Sequence, residues 1–157
     1  MSTLVVFSSR HGAAKYAAER IAGKLTGDFI IADLDRKKNI SPEDFETIIV
    51  GGSVYAGRIR SSVSAFVKKH EQILLSRKTG LFIVCMSPPE KVQHYFNDFF
   101  GKPLSEQCSV KSIFGGKYDF QKMNFFEKLI IKKISGFNKT VSTIDEELIS
   151  EFVKKLL

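Results

Sequence analysis

Apolar residues in this chain fall into two kinds of stretch that alternate from one end to the other. The first kind is a short, nearly continuous run rich in β-branched residues, at positions 3–7, 29–32, 47–50, 81–86 and 110–114. Such runs are too short for helices, and their lack of in/out alternation marks strands covered on both faces. The second kind repeats every three or four residues, at 13–25, 62–75, 92–100, 125–134 and 145–157. In 62–75, Val63, Phe66, Val67, His70 and Leu74 fall near one face, as an amphipathic helix requires. In the last segment Asp145 stands as an N-cap ahead of Leu148, Ile149, Phe152, Val153 and Leu156. Between strands 2 and 3, Ser41-Pro42-Glu43-Asp44 resembles a helix start with room for about one turn. Residues 51–57 read as a glycine-flanked loop, and Pro88-Pro89 break the fourth strand before a longer segment at 87–107. Strands alternating with helices imply a parallel five-stranded sheet, covered on both faces, in one domain over residues 1–157.

The first strand carries the chemistry. Phe7-Ser8-Ser9-Arg10-His11-Gly12 leads from it into the alanine-rich helix that begins at Ala13-Ala14. The first N–H groups of a helix have no partner within it, and the macrodipole adds partial positive charge there. Ser8 and Ser9 supply hydroxyl donors, and Gly12 lets the backbone approach an anion closely. The loop lacks the Gly-Lys-Ser/Thr ending of a nucleoside-triphosphate loop and the three glycines of the dinucleotide fingerprint. It also lacks a phosphatase cysteine and the acidic residues of a receiver domain. A hydroxyl-rich loop that binds a phosphomonoester without hydrolysing it fits best; an ordinary strand-to-helix turn is the plainer alternative. With strand order 2-1-3-4-5, a ligand crevice falls between strands 1 and 3. There the loop at 8–14, the segment 52–57 with Tyr55, and the segment beginning Met86-Ser87 should meet.

Charge narrows the partners. The 157 residues contain 24 Lys and Arg against 17 Asp and Glu, a net charge of +7 that favours contact with something anionic. Cys85 and Cys108 make neither a disulfide framework nor a metal site. No run approaches the roughly 20 apolar residues of a membrane span, and no secretory leader is visible. A reduced, cytoplasmic setting is expected. No catalytic triad or metal-ligand spacing is present, no side chain is assigned a catalytic role, and no nucleic-acid partner is expected.

Three blocks carry a resemblance. Phe7-Ser8-Ser9-Arg10-His11-Gly12 before an Ala-rich helix resembles the FMN-phosphate loop of flavodoxin-like proteins. That loop, Gly52-Ser53-Val54-Tyr55-Ala56-Gly57 followed by Phe66-Val67-Lys68-Lys69-His70, and Phe114-Gly115-Gly116-Lys117-Tyr118 leading into Phe126–Gly136 resemble most the branch containing menaquinone-dependent protoporphyrinogen oxidase. The resemblance implies a flavodoxin-like three-layer sandwich that binds FMN. It implies that Ser8, Ser9, Arg10, His11, Gly12, Ala13 and Ala14 surround the phosphate. Ser53, Val54, Tyr55, Ala56 and Gly57 would line the isoalloxazine, with Met86 and Ser87 at the third strand end. Ala13 and Ala14 stand where flavodoxin loops usually close with a hydroxyl, which implies weaker FMN retention.

An FMN-dependent oxidoreductase, with a porphyrinogen substrate and a quinone or other redox partner, is the first functional reading. A flavodoxin-type electron carrier is the second, and a protein for another phosphorylated ligand the third. Electron-carrier flavodoxins are typically acidic, so the basic charge favours the enzyme. Residues 121–135 add Met123, Phe126, Ile130 and Ile134 at helical spacing, with Lys122, Lys128, Lys132 and Lys133 beside them. A core helix with a solvated lysine face accounts for that pattern. So does a basic amphipathic helix docked on the inner membrane face.

Overall fold

A computed structural model of the chain describes residues 2–118, Glu127, Leu129 and residues 141–157. The expected helix at 125–134 otherwise lies outside the described residues.

The first strand, β1 (Thr3–Ser8), is buried along its whole length and has a neighbour on each side. It pairs in parallel with β2 (Phe29–Asp33), Val5 opposite Ile31, and with β3 (Thr47–Tyr55), Val5 opposite Ile49. β5 (Lys78–Val84) and β6 (Val110–Ile113) extend the parallel sheet on the far side of β3, giving β2-β1-β3-β5-β6. This is the order expected from the sequence, with the reversal between β1 and β3. One strand of this sheet was not foreseen: β4 (Arg58–Ile59), antiparallel to the end of β3.

Successive residues of a strand face opposite ways, which divides the core in two. Leu4, Val6, Ile48, Val50, Leu81 and Ile83 pack on one side against α2 (Ser61–Lys69), α3 (Glu71–Ser76), α4 (Tyr95–Phe100) and α5 (Lys102–Gln107). On the other side Val5, Phe7, Ile49, Phe82 and Val84 pack against α1 (Ala13–Ala22) and α6 (Glu146–Leu156). The buried face of α1 is almost all alanine. Small side chains let this helix lie close to the sheet, which brings its N-terminus against the ends of β1 and β3. The Asp145 carboxylate caps α6 by accepting from the N–H groups of Glu147 and Leu148.

Residues 51–55, read as loop, are strand. Gly51 and Gly52 sit in β3 under close neighbours: a Cβ on Gly51 would lie 2.3 Å from the Phe82 ring, and one on Gly52 would push aside the end of the Ile59 side chain, 2.8 Å away. The chain turns at Ala56 and Gly57, both with positive φ, into β4. The helix expected over 62–75 is interrupted at His70, whose ring packs on Phe66 while its backbone takes φ −112° and ψ 19°. Segment 87–107 holds a 3-10 turn at Pro89–Lys91, then α4 and α5 separated at Gly101, where φ is +83°. The crossover from β2 to β3 has turns and no helix among its described residues. A second sheet pairs β7 (Lys117–Tyr118) with β8 (Val141–Ser142). Strands of two residues leave no periodic trace in a sequence. Among the described residues, no helix is long and apolar enough to cross a membrane.

Candidate functional site

Four residues, Ser9 to Gly12, join β1 to α1. Gly12 takes φ 91° and ψ −5°, a left-handed conformation that L side chains rarely adopt. No side chain caps α1, and its first turn holds no acidic residue. The Ser9 hydroxyl accepts from the Gly12 N–H at 3.0 Å, and the Ser53 hydroxyl accepts from the Ala14 N–H at 3.1 Å. The second bond ties the end of β3 to the first turn of α1. Each hydroxyl keeps its own proton, for which no acceptor is present among the described residues. The methyl groups of Ala13 and Ala14 are buried in the core beneath α1. These two positions therefore present backbone, not side chain, to the loop.

Ser8 is already engaged. Its hydroxyl donates to the Asp35 carboxylate at 2.7 Å, and the Arg60 Nε donates to the same carboxylate at 2.8 Å. Burial pushes the Asp35 carboxyl up, but these hydrogen bonds and the Arg60 charge outweigh it and hold the group below its usual range.

Arg10 and His11 converge on Glu127. Arg10 Nε lies 2.8 Å and His11 Nε2 2.5 Å from the same carboxylate oxygen, and the Glu127 side chain is only 10% exposed. Burial favours the neutral acid, yet the bonds from Arg10 and His11 prevail and lower the Glu127 pKa. The Arg10 pKa is raised in turn, chiefly by its hydrogen bond to Glu127. The Arg10 guanidinium also stands 5.0 Å from the centroid of the Tyr55 ring, which meets the His11 ring edge-on at 6.0 Å. The Tyr55 hydroxyl is buried with no hydrogen-bond partner among the described residues. Its pKa is raised by burial and by the charge of Glu127.

Arg10 stands between two cavities. One, of about 260 Å³, is lined by Ser9, Arg10, His11, Gly12, Lys15 and Arg36. The other, of about 620 Å³, is lined by Arg10, Ser53, Tyr55, Ala56, Arg58 and Arg60. The residues expected at the loop and at 53–56 therefore come together around Arg10. Val54 turns its side chain toward the core instead, and Gly57 forms the hairpin tip. Met86 and Ser87 line a separate cavity of about 320 Å³ with Cys85, Phe114 and Thr143. Sequence reasoning did not single out Asp35, Arg36, Arg58, Arg60 or Glu127. The one available signal for Glu127 was an acid standing alone in a run of lysines and apolar residues.

A parallel sheet that reverses between β1 and β3, with an uncapped helix start at the reversal, defines the doubly wound α/β class whose ligands bind at that switch point. Residues 4–144 match the Flavodoxin domain family, and the chain belongs to that family. It is 26% identical over 174 residues to protoporphyrinogen IX dehydrogenase [quinone] of Escherichia coli K12, covering 99% of this chain and 94% of that protein. In structure it is similar to oxidised flavodoxin 1 of Bacillus cereus, with TM-score 0.64, 17% identity and coverage of 99% and 97% of the two chains. It is also similar to the Fusobacterium nucleatum flavodoxin bound to flavin mononucleotide, with TM-score 0.56, 14% identity and coverage of 99% and 97%.

Proposed function

We propose that this protein binds FMN non-covalently at the β1–α1 loop and is an oxidoreductase that acts on a porphyrinogen with a quinone as acceptor. One observation carries the cofactor reading. The uncapped start of α1 meets a left-handed Gly12 and two serine hydroxyls with protons to donate, all at the sheet's switch point. That donor set suits a phosphate dianion. Ser9 and Ser53 would donate through their hydroxyls, which accept from the Gly12 and Ala14 N–H groups behind them. Arg10, His11 and Ala13 would donate through backbone N–H groups, and Arg10 and His11 also through their side chains. Ser8 acts behind them, fixing the end of β1 through Asp35. Tyr55, with Ala56 and Gly57 at the hairpin, would bound the isoalloxazine. The arrangement also fits Ala13 and Ala14, since only their backbone is needed. Bound FMN would supply the hydride and electron transfer, while the chain positions it.

The substrate reading rests on the similarity to the Escherichia coli dehydrogenase and on charge. Arg10, Arg58 and Arg60 line the larger cavity, and the chain carries +7 overall. Such a rim favours an anionic substrate and repels the basic docking sites that acidic electron carriers use. Peripheral contact of residues 121–135 with an anionic membrane face belongs to the same reading, because a quinone dissolves in lipid.

The experiment is reconstitution with excess FMN, desalting and a visible spectrum, followed by anaerobic assay with protoporphyrinogen and menaquinone. Retained flavin bands and quinone-dependent porphyrin formation are expected. A colourless protein without FMN affinity ends the cofactor reading. Retained FMN without turnover leaves an electron carrier. Co-sedimentation with anionic vesicles at low salt, lost in Lys128→Glu/Lys132→Glu, is the outcome expected for the membrane contact. No sedimentation even at low salt removes that claim.

A further inference from the structure

Arg10 and His11 of the loop already hold an anion that belongs to the chain. Glu127 lies 116 residues from His11 and 117 from Arg10 in sequence, yet its carboxylate accepts from both. A carboxylate is an acceptor only, as a phosphate dianion is. The His11 Nε2 carries at most one proton, so it donates to Glu127 or to a ligand, not to both. The same holds for the single N–H on the Arg10 Nε, although the guanidinium keeps its terminal donors. Glu127 also adds one negative charge, in a largely buried position, beside the place where a second anion would arrive.

From this geometry we propose that Glu127 determines how strongly the site selects phosphate. It acts as an internal counter-anion that holds Arg10 and His11 until a phosphate ester takes these donors from it. A neutral ligand has no means of making that exchange. A dianion does, because it replaces one negative charge by two and finds the neighbouring hydroxyl donors of Ser9 and Ser53 already in position. The naming of FMN rests on the function proposed above, but the exchange itself is a property of the loop and applies to inorganic phosphate as well.

Glu127→Gln removes the charge and keeps an acceptor of the same shape. The experiment compares the full chain and this variant by titration with inorganic phosphate, FMN and riboflavin, after thermal melting has verified that both are folded. Phosphate and FMN should bind about tenfold tighter to Glu127→Gln, the change made by losing one nearby like charge. Riboflavin should bind both alike. The gain should vanish in an Arg10→Gln/His11→Gln background, where there is nothing to exchange. In the unaltered chain, phosphate should also move the NMR resonances of the Arg10 Nε–H and the His11 ring. That measurement serves if the variant does not fold.

Equal or weaker binding of phosphate and FMN by Glu127→Gln, or side-chain resonances indifferent to phosphate, would overturn the inference and leave Glu127 a structural tie. The two readings fail separately. Phosphate that tightens while neither protein binds FMN removes the cofactor and keeps the exchange. FMN bound equally by both proteins keeps the cofactor and removes the exchange.

Discussion

Single atoms decide much of what this site can do. Tyr55 has a buried hydroxyl with no partner among the described residues, and a buried polar group without a hydrogen bond is unfavourable. Tyr55→Phe should therefore leave the ligand-free protein as stable as before, or more stable by up to about 1 kcal/mol. Urea unfolding at constant m-value measures this, and a clear loss of stability would reveal a partner for the hydroxyl. Gly12 is different, because its left-handed φ of 91° is required by the turn itself. If the loop binds phosphate as proposed, Gly12→Val should weaken FMN far more than riboflavin, since only FMN carries one. Equal losses for the two would mean that the loop does not read phosphate. Gly51 is constrained by space rather than by φ, with the Phe82 ring occupying the position of a side chain. Gly51→Ala should cost about 2 kcal/mol through overpacking, read as a lower urea midpoint. Of these three local features, only the left-handed turn at Gly12 was legible in the sequence, from a glycine standing between a strand and a helix. A glycine against a ring and a tyrosine without a partner look like any others until their neighbours are known.

At the scale of elements, the two helices described on one face of the sheet, α1 and α6, differ at their starts. α6 is closed by Asp145, which accepts from two backbone N–H groups at 2.9 and 3.3 Å. α1 has Gly12 at the same position and no side-chain cap. One helix start is satisfied by its own N-cap side chain, and the other takes a single bond from outside the helix, the Ala14 N–H to the Ser53 hydroxyl. Asp145→Ala should cost about 1 kcal/mol of stability and leave FMN affinity unchanged. A change in FMN affinity would mean that the α6 cap and the loop are coupled. The residues buried by α6, from Ile149 to Leu156, follow the helical period and were legible. The hairpin of β3 and β4 was not. Its strand contains two glycines and its partner has two residues, so local propensity points to a loop. Contacts with Phe82, Ile59 and Val63 decide otherwise.

Across the whole molecule, ion-paired carboxylates, Asp35 and Glu127 among them, link distant parts of the chain and give stability a pH dependence. Asp35 joins the end of β1 to Arg60, and Glu127 joins the loop to a segment more than a hundred residues later. Both bind protons more weakly in the folded chain than an ordinary carboxyl does. Their stabilising contribution is complete above the unfolded-state pKa, about 4, and is lost as pH falls through the lower folded-state values. Stability should thus hold from neutral pH down to about 5 and fall below about 4. Asp35→Asn and Glu127→Gln should each flatten that fall, as measured by urea midpoints across pH. A slope unchanged in both variants would mean that other carboxyls govern acid unfolding. The sequence by itself determined the alternation of the main strands and helices and, from it, a parallel sheet covered on both faces, and it pointed to the β1–α1 loop as the place to look for an anion. The alternation follows from local hydrophobic period and from where each run stops. Only the tertiary structure decided that Ser8 turns to Asp35, that Glu127 holds Arg10 and His11, and that Met86 and Ser87 line a cavity of their own. The period of a segment tells which face it buries. Which charged group meets which across the folded chain depends on how the ends of separate elements come together, and no local pattern encodes that.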